Sequence, residues 1–493
     1  MHIARRLRPL EAALITFSAL ALAVPGGECL GSSSGGARPP GLVSTDEMME
    51  WIEEIHSQGV RRPGYPASEW AVEWAREQLE AAGCEVELEP VEVLRWDSRG
   101  CRLHVWPAGN EPAGMDIPCM AIPFTTPTDG LEARIVRNTQ FNDVGGRIAF
   151  HKLQFLPVPQ LLVKYYATDD YDPEGVFWGL AAKPPHSLRY QAVMAPEVDE
   201  GAVGFIGSLG SYPRETHDRW VPYDAEMRPI PGVYVSPQSG RRIQRLMRRG
   251  PVEGRMAYEA DAELRTSYNV LGRLEGASDH WIIIGTHHDG PWGSAVEDAS
   301  GMALVAAQAH YWGSLDPSDR PHNLLFVMQA GHMSGGAGLK AFISSHEELI
   351  TDHTVVEIHL EQVARRAVRT WWGGTRVTGE PEVRWWFVNR NPVLEAITKD
   401  AIVSNDLNRS FILDPERWPP GRGGPPPTDG AHFYGKVPIV QHLAAPWYLF
   451  DSVDTPDKVH EASLVPITRA VIDIIEALED ETPASLRAHN IDG

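Results

Sequence analysis

The residues best equipped for chemistry stand in one run, "GTHHDGPWGSAVEDASG", residues 285 to 301. His287, His288 and Asp289 follow the apolar "WIII", and Glu297 and Asp298 come shortly afterwards, ahead of "ASG" and an apolar stretch. Imidazole nitrogens and carboxylate oxygens are what zinc takes as ligands, so the run reads as part of a metal site. Two more apolar runs end in the same way: "NLLFVMQAGHM" at His332, and "VVEIHLEQ" at His359 and Glu361. Taken singly, a histidine at a strand end is most often a hydrogen-bonded structural residue, and acids ahead of a helix serve its N-terminus. Recurrence at three apolar runs is hard to explain by packing and favours a metal site.

Such a site needs strands whose ends meet on one edge. From residue 268 onward the chain alternates strand, loop and helix: "WIIIG" precedes "ASGMALVAAQAHYW", and "NLLFVMQ" precedes "AGLKAFISSHEEL". "VVEIHL" and "VPIVQHL" are further strands, and "PITRAVIDIIEALED" is a closing helix. This rhythm predicts an α/β fold, a mostly parallel sheet flanked by helices, with ligands gathered at the carboxyl ends of its strands. Residues 45–83 read as helical, with Trp70, Trp74 and Leu79 on roughly one face and Gly83 placed as the stop. "CEVELEPVEV" then alternates like a strand. Between about 100 and 262 the runs are short, β-like and broken by Gly and Pro, as in "GGRIAFHKL", "GAVGFIG" and "IPGVYVS", with one helical stretch at 239–250. That stretch reads as an inserted β-rich module.

The expected organisation is therefore a signal peptide over 1–28, a flexible linker over 29–42, and a first catalytic portion over 43–99. The inserted module spans 100–262, and the main catalytic portion 263–493. Arg5, Arg6 and Arg8 precede an apolar segment from Ala12 to Val24, too short for a membrane span and suited to secretion. Export to the periplasm, envelope or medium follows. Cys29 invites a lipoprotein reading, but Glu28 stands where a small residue is expected. With 44 basic against 66 acidic residues, a net of −22, the balance argues against nucleic acid or an anionic membrane surface as the main partner, since phosphate binding needs a basic face. No CxxC pair exists, which excludes a cysteine-based zinc site; Cys101 and Cys119 read equally as a disulfide or as two thiols.

These motifs resemble the zinc exopeptidases of metallopeptidase family twenty-eight, secreted aminopeptidase-like enzymes often carrying a protease-associated domain. "RRPGYPASEWAVEWAREQLEAAGCEVE" is similar to that family's N-terminal helix region, "NVLGRLEG" to its entry into the first catalytic strand, and "DTPDKV" to its C-terminal signature. "THHDG" stands where the family has His-x-Asp, and "SAVEDASG" where it has an Asp-rich stretch. The resemblance implies that residues 100–262 are the protease-associated domain, and that His287, Glu297 and Glu361 are metal ligands. It also implies that Asp289 orients His287.

Two positions depart from the pattern. His332 and Met333 occupy the place of two consecutive glutamates, base and ligand, and Phe450 the place of the last histidine ligand. A thioether is a poor zinc ligand beside carboxylates, and a phenyl ring is none. The expectation is then one zinc, two at most, with His332 as the general base and His288, Asp298 and Asp451 as substitute ligands. Asp429 and His432 in "TDGAHFYGKVP" are expected at the substrate pocket. His442 and His460 read as ordinary packing or surface residues, and the pairs Trp371–Trp372 and Trp385–Trp386 as core. The expected activity is hydrolysis of a peptide or small amide. Two rivals remain: a binding or scaffold protein on the same fold, and a single-zinc acyl-transfer or cyclising enzyme. Oligomeric state is not legible.

Overall fold

The computed structural model describes residues 41–139, 142–154, 158–178, 181–182, 193–210, 218–371, 374–417, 424–444, 446 and 448–490. The expected signal segment, Cys29 and most of the linker lie outside these residues, as do Trp372 and positions 419–423 of the Gly/Pro-rich loop.

Four parallel strands form the centre, in the order Asn323–Gln329, Trp281–His287, Thr354–Leu360, Ile439–Leu443. They are apolar and buried along almost their whole length, which is what a strand covered on both faces requires. Alternate side chains go to opposite cores. Ile282, Ile284, Leu324 and Phe326 face a cluster containing Met48, Ile52, Trp74, Leu79 and Val471. Ile283, Leu325 and Val327 face Leu339 and Phe342 on the other side. The helix Ser300–Gly313 is buried at every position from Ser300 to Ala309, and its sequence there is apolar except for Ser300 and Gln308. Thr45–Ser57 shows the usual surface pattern instead: it buries Met48, Ile52 and Ile55, and Ser44 caps it by accepting from Glu47 N at 3.2 Å. Gly83, at φ +86°, follows the end of helix Pro66–Ala81. Beyond Ile439–Leu443 the sheet continues with Arg384–Val388, antiparallel, and Ser410–Leu413. No helix among the described residues is long and apolar enough to cross a membrane.

On the other side, Asn323–Gln329 pairs antiparallel with the end of Val252–Leu274. That strand and Glu85–Pro107 are each 23 residues long and form one antiparallel ribbon, from Glu85 opposite Arg273 to Pro107 opposite Val252. Residues 100 and 262, the expected limits of the inserted module, fall inside these two strands. The far half of the ribbon carries Thr128–Arg137, then the parallel strands Ile148–Gln154, Gly204–Gly210 and Gly232–Val235, with Pro237–Met247 packed against them. The β-rich portion has its own core around Trp96, Phe124, Trp220 and Ile243.

Cys101 and Cys119 meet in this region, with Sγ atoms 2.7 Å apart and both side chains half-buried. Treating the folded protein with oxidised glutathione is expected to join them. Non-reducing peptide mapping should then recover the two segments linked and the protein two hydrogens lighter. Separate peptides after that treatment would show a pair of stable thiols.

Candidate metal centre

The carboxyl ends of the central strands place the site. His287 closes Trp281–His287, His359 is the penultimate residue of Thr354–Leu360 with Glu361 just beyond it, and His332 sits in the turn after Asn323–Gln329. Polar bonds between neighbouring strand ends fix these positions. The Asp289 carboxylate accepts from His332 N at 3.0 Å and Met333 N at 2.7 Å, tying the His332 turn to the first strand. Asp298 accepts from the Thr286 hydroxyl and from Gln362 N at 2.9 Å, tying in the third. Glu297 lies in an irregular turn, Ala295–Ala299, preceded by Ser294 in the left-handed region. The turn is held from outside: Asp454 accepts from Val296 N and Glu297 N at 3.0 and 2.9 Å, and the buried Arg61 donates to the carbonyls of His288 and Ser294. Asp454→Ala would leave two buried N–H groups without that acceptor. A stability loss of about 2–4 kcal/mol is expected by urea unfolding; a loss below about 1 kcal/mol would mean that the turn finds other acceptors.

Within this frame three imidazoles share one arrangement. His287 Nδ1 donates to the Asp289 main-chain oxygen at 2.8 Å, and His359 Nδ1 donates to Glu357 Oε1 at 3.0 Å. His332 Nδ1 lies 2.6 Å from Asp429 Oδ2, which also accepts from Gln329 Nε2. In each case Nε2 is left to face a carboxylate: His287 and His332 approach Glu297 Oε1 at 3.7 and 3.6 Å, and His359 approaches Glu361 Oε1 at 3.3 Å. The rings of His287 and His332 stack with centroids 4.0 Å apart. All these groups are buried, and His332 and Asp429 are the most exposed of them at 6% and 7%. Tyr223 stacks on the outer face of His332 at 5.0 Å.

This arrangement suits a cation. His287 Nε2, His359 Nε2 and Glu297 Oε2 are buried without a hydrogen-bond partner. Two ligands on a tetrahedral zinc, each about 2.0–2.1 Å from it, stand about 3.3 Å apart, which is the spacing of His359 Nε2 and Glu361 Oε1 at 3.3 Å. Anchoring of Nδ1 by a carboxylate or carbonyl is what orients metal-binding histidines. Two groups of donors lie within 4.8 Å of one another: His287, His332 and Glu361, and His359, Glu361 and Asp429.

The charges are strongly coupled. Burial lowers His287 well below its ordinary value, aided by the neighbouring His332. Burial raises Glu297 well above the carboxylate range, and raises Asp289. Burial likewise carries Asp298 to about 7, with the Glu361 charge adding to it, and Asp454 to about 7. Burial opposes protonation of His332, but the Asp429 charge and contact, then Glu297, override it and carry the ring to about 10. The reciprocal holds for Asp429, which burial would raise and the His332 charge keeps below its ordinary value. His359 is carried well above its ordinary value against burial by Glu357 and Glu361.

Of the residues singled out from sequence, His287, Asp289, Glu297, Asp298, His332, Glu361 and Asp429 thus come together. The Asp289 carboxylate does not hold the His287 ring, whose Nδ1 is 4.0 Å away; the Asp289 main chain does. Among the substitute ligands, His288 turns Nε2 to the Tyr268 carbonyl at 2.9 Å, and Asp298 is engaged in bolting strands. Asp451 is fully buried, and neither of its carboxylate oxygens has a hydrogen-bond partner, but it belongs to neither donor group. His432 is half-exposed and lines a surface cavity of 330 Å³ with Lys340, Ser344 and Glu347, beside the cluster. Met333 and Phe450 pack with Trp96 and Trp220 in the β-rich core.

His359 has a plain signal, its place two residues before Glu361 at a strand end. Arg61 and Asp454 were visible only inside longer matched stretches, "RRPGYP" and "DTPDKV".

No protein-family model matches the sequence, and no curated protein matches it. Solved structures do match in fold. A peptidase M28 precursor from Shewanella amazonensis superposes with a TM-score of 0.63 at 20% identity, covering 91% of this chain and 98% of its own. A zinc aminopeptidase from Bacillus subtilis gives 0.60 at 14%, covering 90% and 97%. An aminopeptidase from Aneurinibacillus sp. strain AM-1 gives 0.59 at 16%, covering 91% and 97%. The chain has the mixed, mostly parallel sheet with flanking helices of these aminopeptidases.

Proposed function

We propose that the protein is an exported, metal-dependent hydrolase of amide or peptide bonds, aminopeptidase-like, with an altered metal site. The observation that carries this reading is the convergence of three Nδ1-anchored imidazoles on Glu297 and Glu361 in a buried pocket. The fold shared with zinc aminopeptidases supports it. Residues 1–28 supply the motive for export, and residues 100–262 for a protease-associated module.

When bound, zinc supplies Lewis-acid polarisation of a substrate carbonyl and a more acidic water. His287, His332 and Glu361 are the donors that fit it, since each offers an atom to one common group. Glu297 is then the proton carrier. Its Oε1 faces both rings and its Oε2 is uncommitted, so the carboxylate can take a proton from a reacting water and pass it to a leaving amine. The sequence expectation gave Glu297 a ligand's role and His332 the base's. The geometry favours the exchange, because Asp429 fixes the His332 ring as metal-binding histidines are fixed. Asp289 positions the His332 turn through its carboxylate. A peptide or small amide would enter from the side of His432, which lines the neighbouring surface cavity.

One observation favours a binding protein without chemistry: apolar packing fills the positions of Met333 and Phe450. The deciding experiment is elemental mass spectrometry of protein loaded with zinc and desalted, alongside hydrolysis of an aminoacyl-amide panel. Zinc retained by the wild type, lost in His287→Ala, and required for products that gain water, is the expected result. No retained metal and no turnover would give the binding reading; products without added water would give the cyclising one.

A further inference from the structure

We infer that the chain builds a second cation position from His359, Glu361 and Asp429, so that Glu361 serves both ions. This rests on the metal-dependent reading above. Among the described residues there are two donor groups, and Glu361 belongs to both. His359 is the distinctive member. Its ring is 1% exposed, its Nδ1 donates to Glu357 at 3.0 Å, and its Nε2 points at Glu361, 3.3 Å away, with no hydrogen-bond partner.

The support behind this ring is itself built. Glu357 is fully buried and accepts from Gln441 Nε2 at 3.3 Å, and Gly285 leaves room for the His359 ring, since a Cβ there would stand 3.2 Å from Nδ1. A histidine kept only for packing does not need a buried carboxylate behind it, because burying that charge is costly. Asp429 Oδ2 is committed to His332 and Gln329, and neither contact uses Oδ1. Glu361 Oε1 accepts from Asp429 N at 3.2 Å, which brings the two carboxylate-bearing segments together.

The arrangement also accounts for Met333 and Phe450. Those two residues pack in the β-rich core, whereas Glu361 is common to both donor groups found among the described residues. A second cation would therefore sit at the end of Thr354–Leu360, supported by donors from that strand and from the Asp429–His432 turn.

The test uses the mature protein stripped with a chelator and titrated with Zn²⁺, with bound zinc counted by elemental mass spectrometry and binding followed by calorimetry. The wild type is expected to take up about two ions. His359→Ala is expected to keep one, and Glu357→Gln, which retains the ring but loses the negative charge behind it, to weaken the second ion by about 10- to 100-fold. Circular dichroism and melting of each variant separate lost binding from lost folding, and Glu357→Gln reads the site even where His359→Ala does not fold. One zinc in the wild type, lost in His287→Ala and unchanged in Glu357→Gln, would overturn the second position while leaving the hydrolase reading intact. Two zincs with unchanged affinity in both His359→Ala and Glu357→Gln would overturn it as well. No zinc in the wild type would bring down both.

Discussion

Glu297→Gln is expected to leave zinc bound and to abolish most turnover, with kcat falling about 10²- to 10⁴-fold. The amide keeps the shape of the carboxylate and cannot carry the proton. Its Oε1 would still face His287 and His332, which reach it at 3.7 and 3.6 Å. His332→Ala should behave differently, because it removes one donor of the group formed with His287 and Glu361. There zinc retention should fall along with turnover. Measuring metal content and kcat on both variants separates the two roles. A Glu297→Gln protein that loses its zinc, beside a His332→Ala protein that retains it, would return the roles to the order the sequence suggests.

Met333→Glu is expected to destabilise the protein by about 3–5 kcal/mol, the cost of an uncompensated buried charge. The change looks restorative, since the resemblance implies a ligand glutamate at this position. Met333 is nevertheless fully buried in a cluster with Trp96, Trp220 and Phe450, and its N–H is held by Asp289. A carboxylate there would have the rings of Trp96, Trp220 and Phe450 as neighbours. Urea unfolding, read as a shift in midpoint with unchanged slope, measures the effect. A variant as stable as the wild type that takes up an additional zinc would show that this core opens to a metal.

The central sheet was legible because its strands are apolar runs that end abruptly in titratable residues. That signal picks out His287, His332 and Glu361 as candidates. The partners that fix those side chains are not picked out, because they are distant in sequence and belong to no local period. Asp429 reaches His332 from a turn after a Gly/Pro-rich stretch, and read only as a pocket residue. Asp454 grips the Glu297 turn from 157 residues away. The same blindness affected the β-rich portion. Gly100, at φ +65°, lies in the register shift between Arg99 and Arg102, inside one long strand. At the other end, the acidic and basic residues of "YEADAELRTSYN" hide a strand whose middle is exposed.

That ribbon decides how the protein can be dissected. A truncation at residues 100 and 262 would cut through both 23-residue strands. The α/β remnant would keep stubs paired only with each other and with Asn323–Gln329, while Trp96 and Met333 would lose the aromatic surroundings they share. Freshly opened strand edges beside uncovered aromatic surface are templates for aggregation. A minimal catalytic fragment is therefore to be sought by shortening the loops beyond the ribbon, and recombination with relatives has its natural crossover points there, with both long strands inherited together.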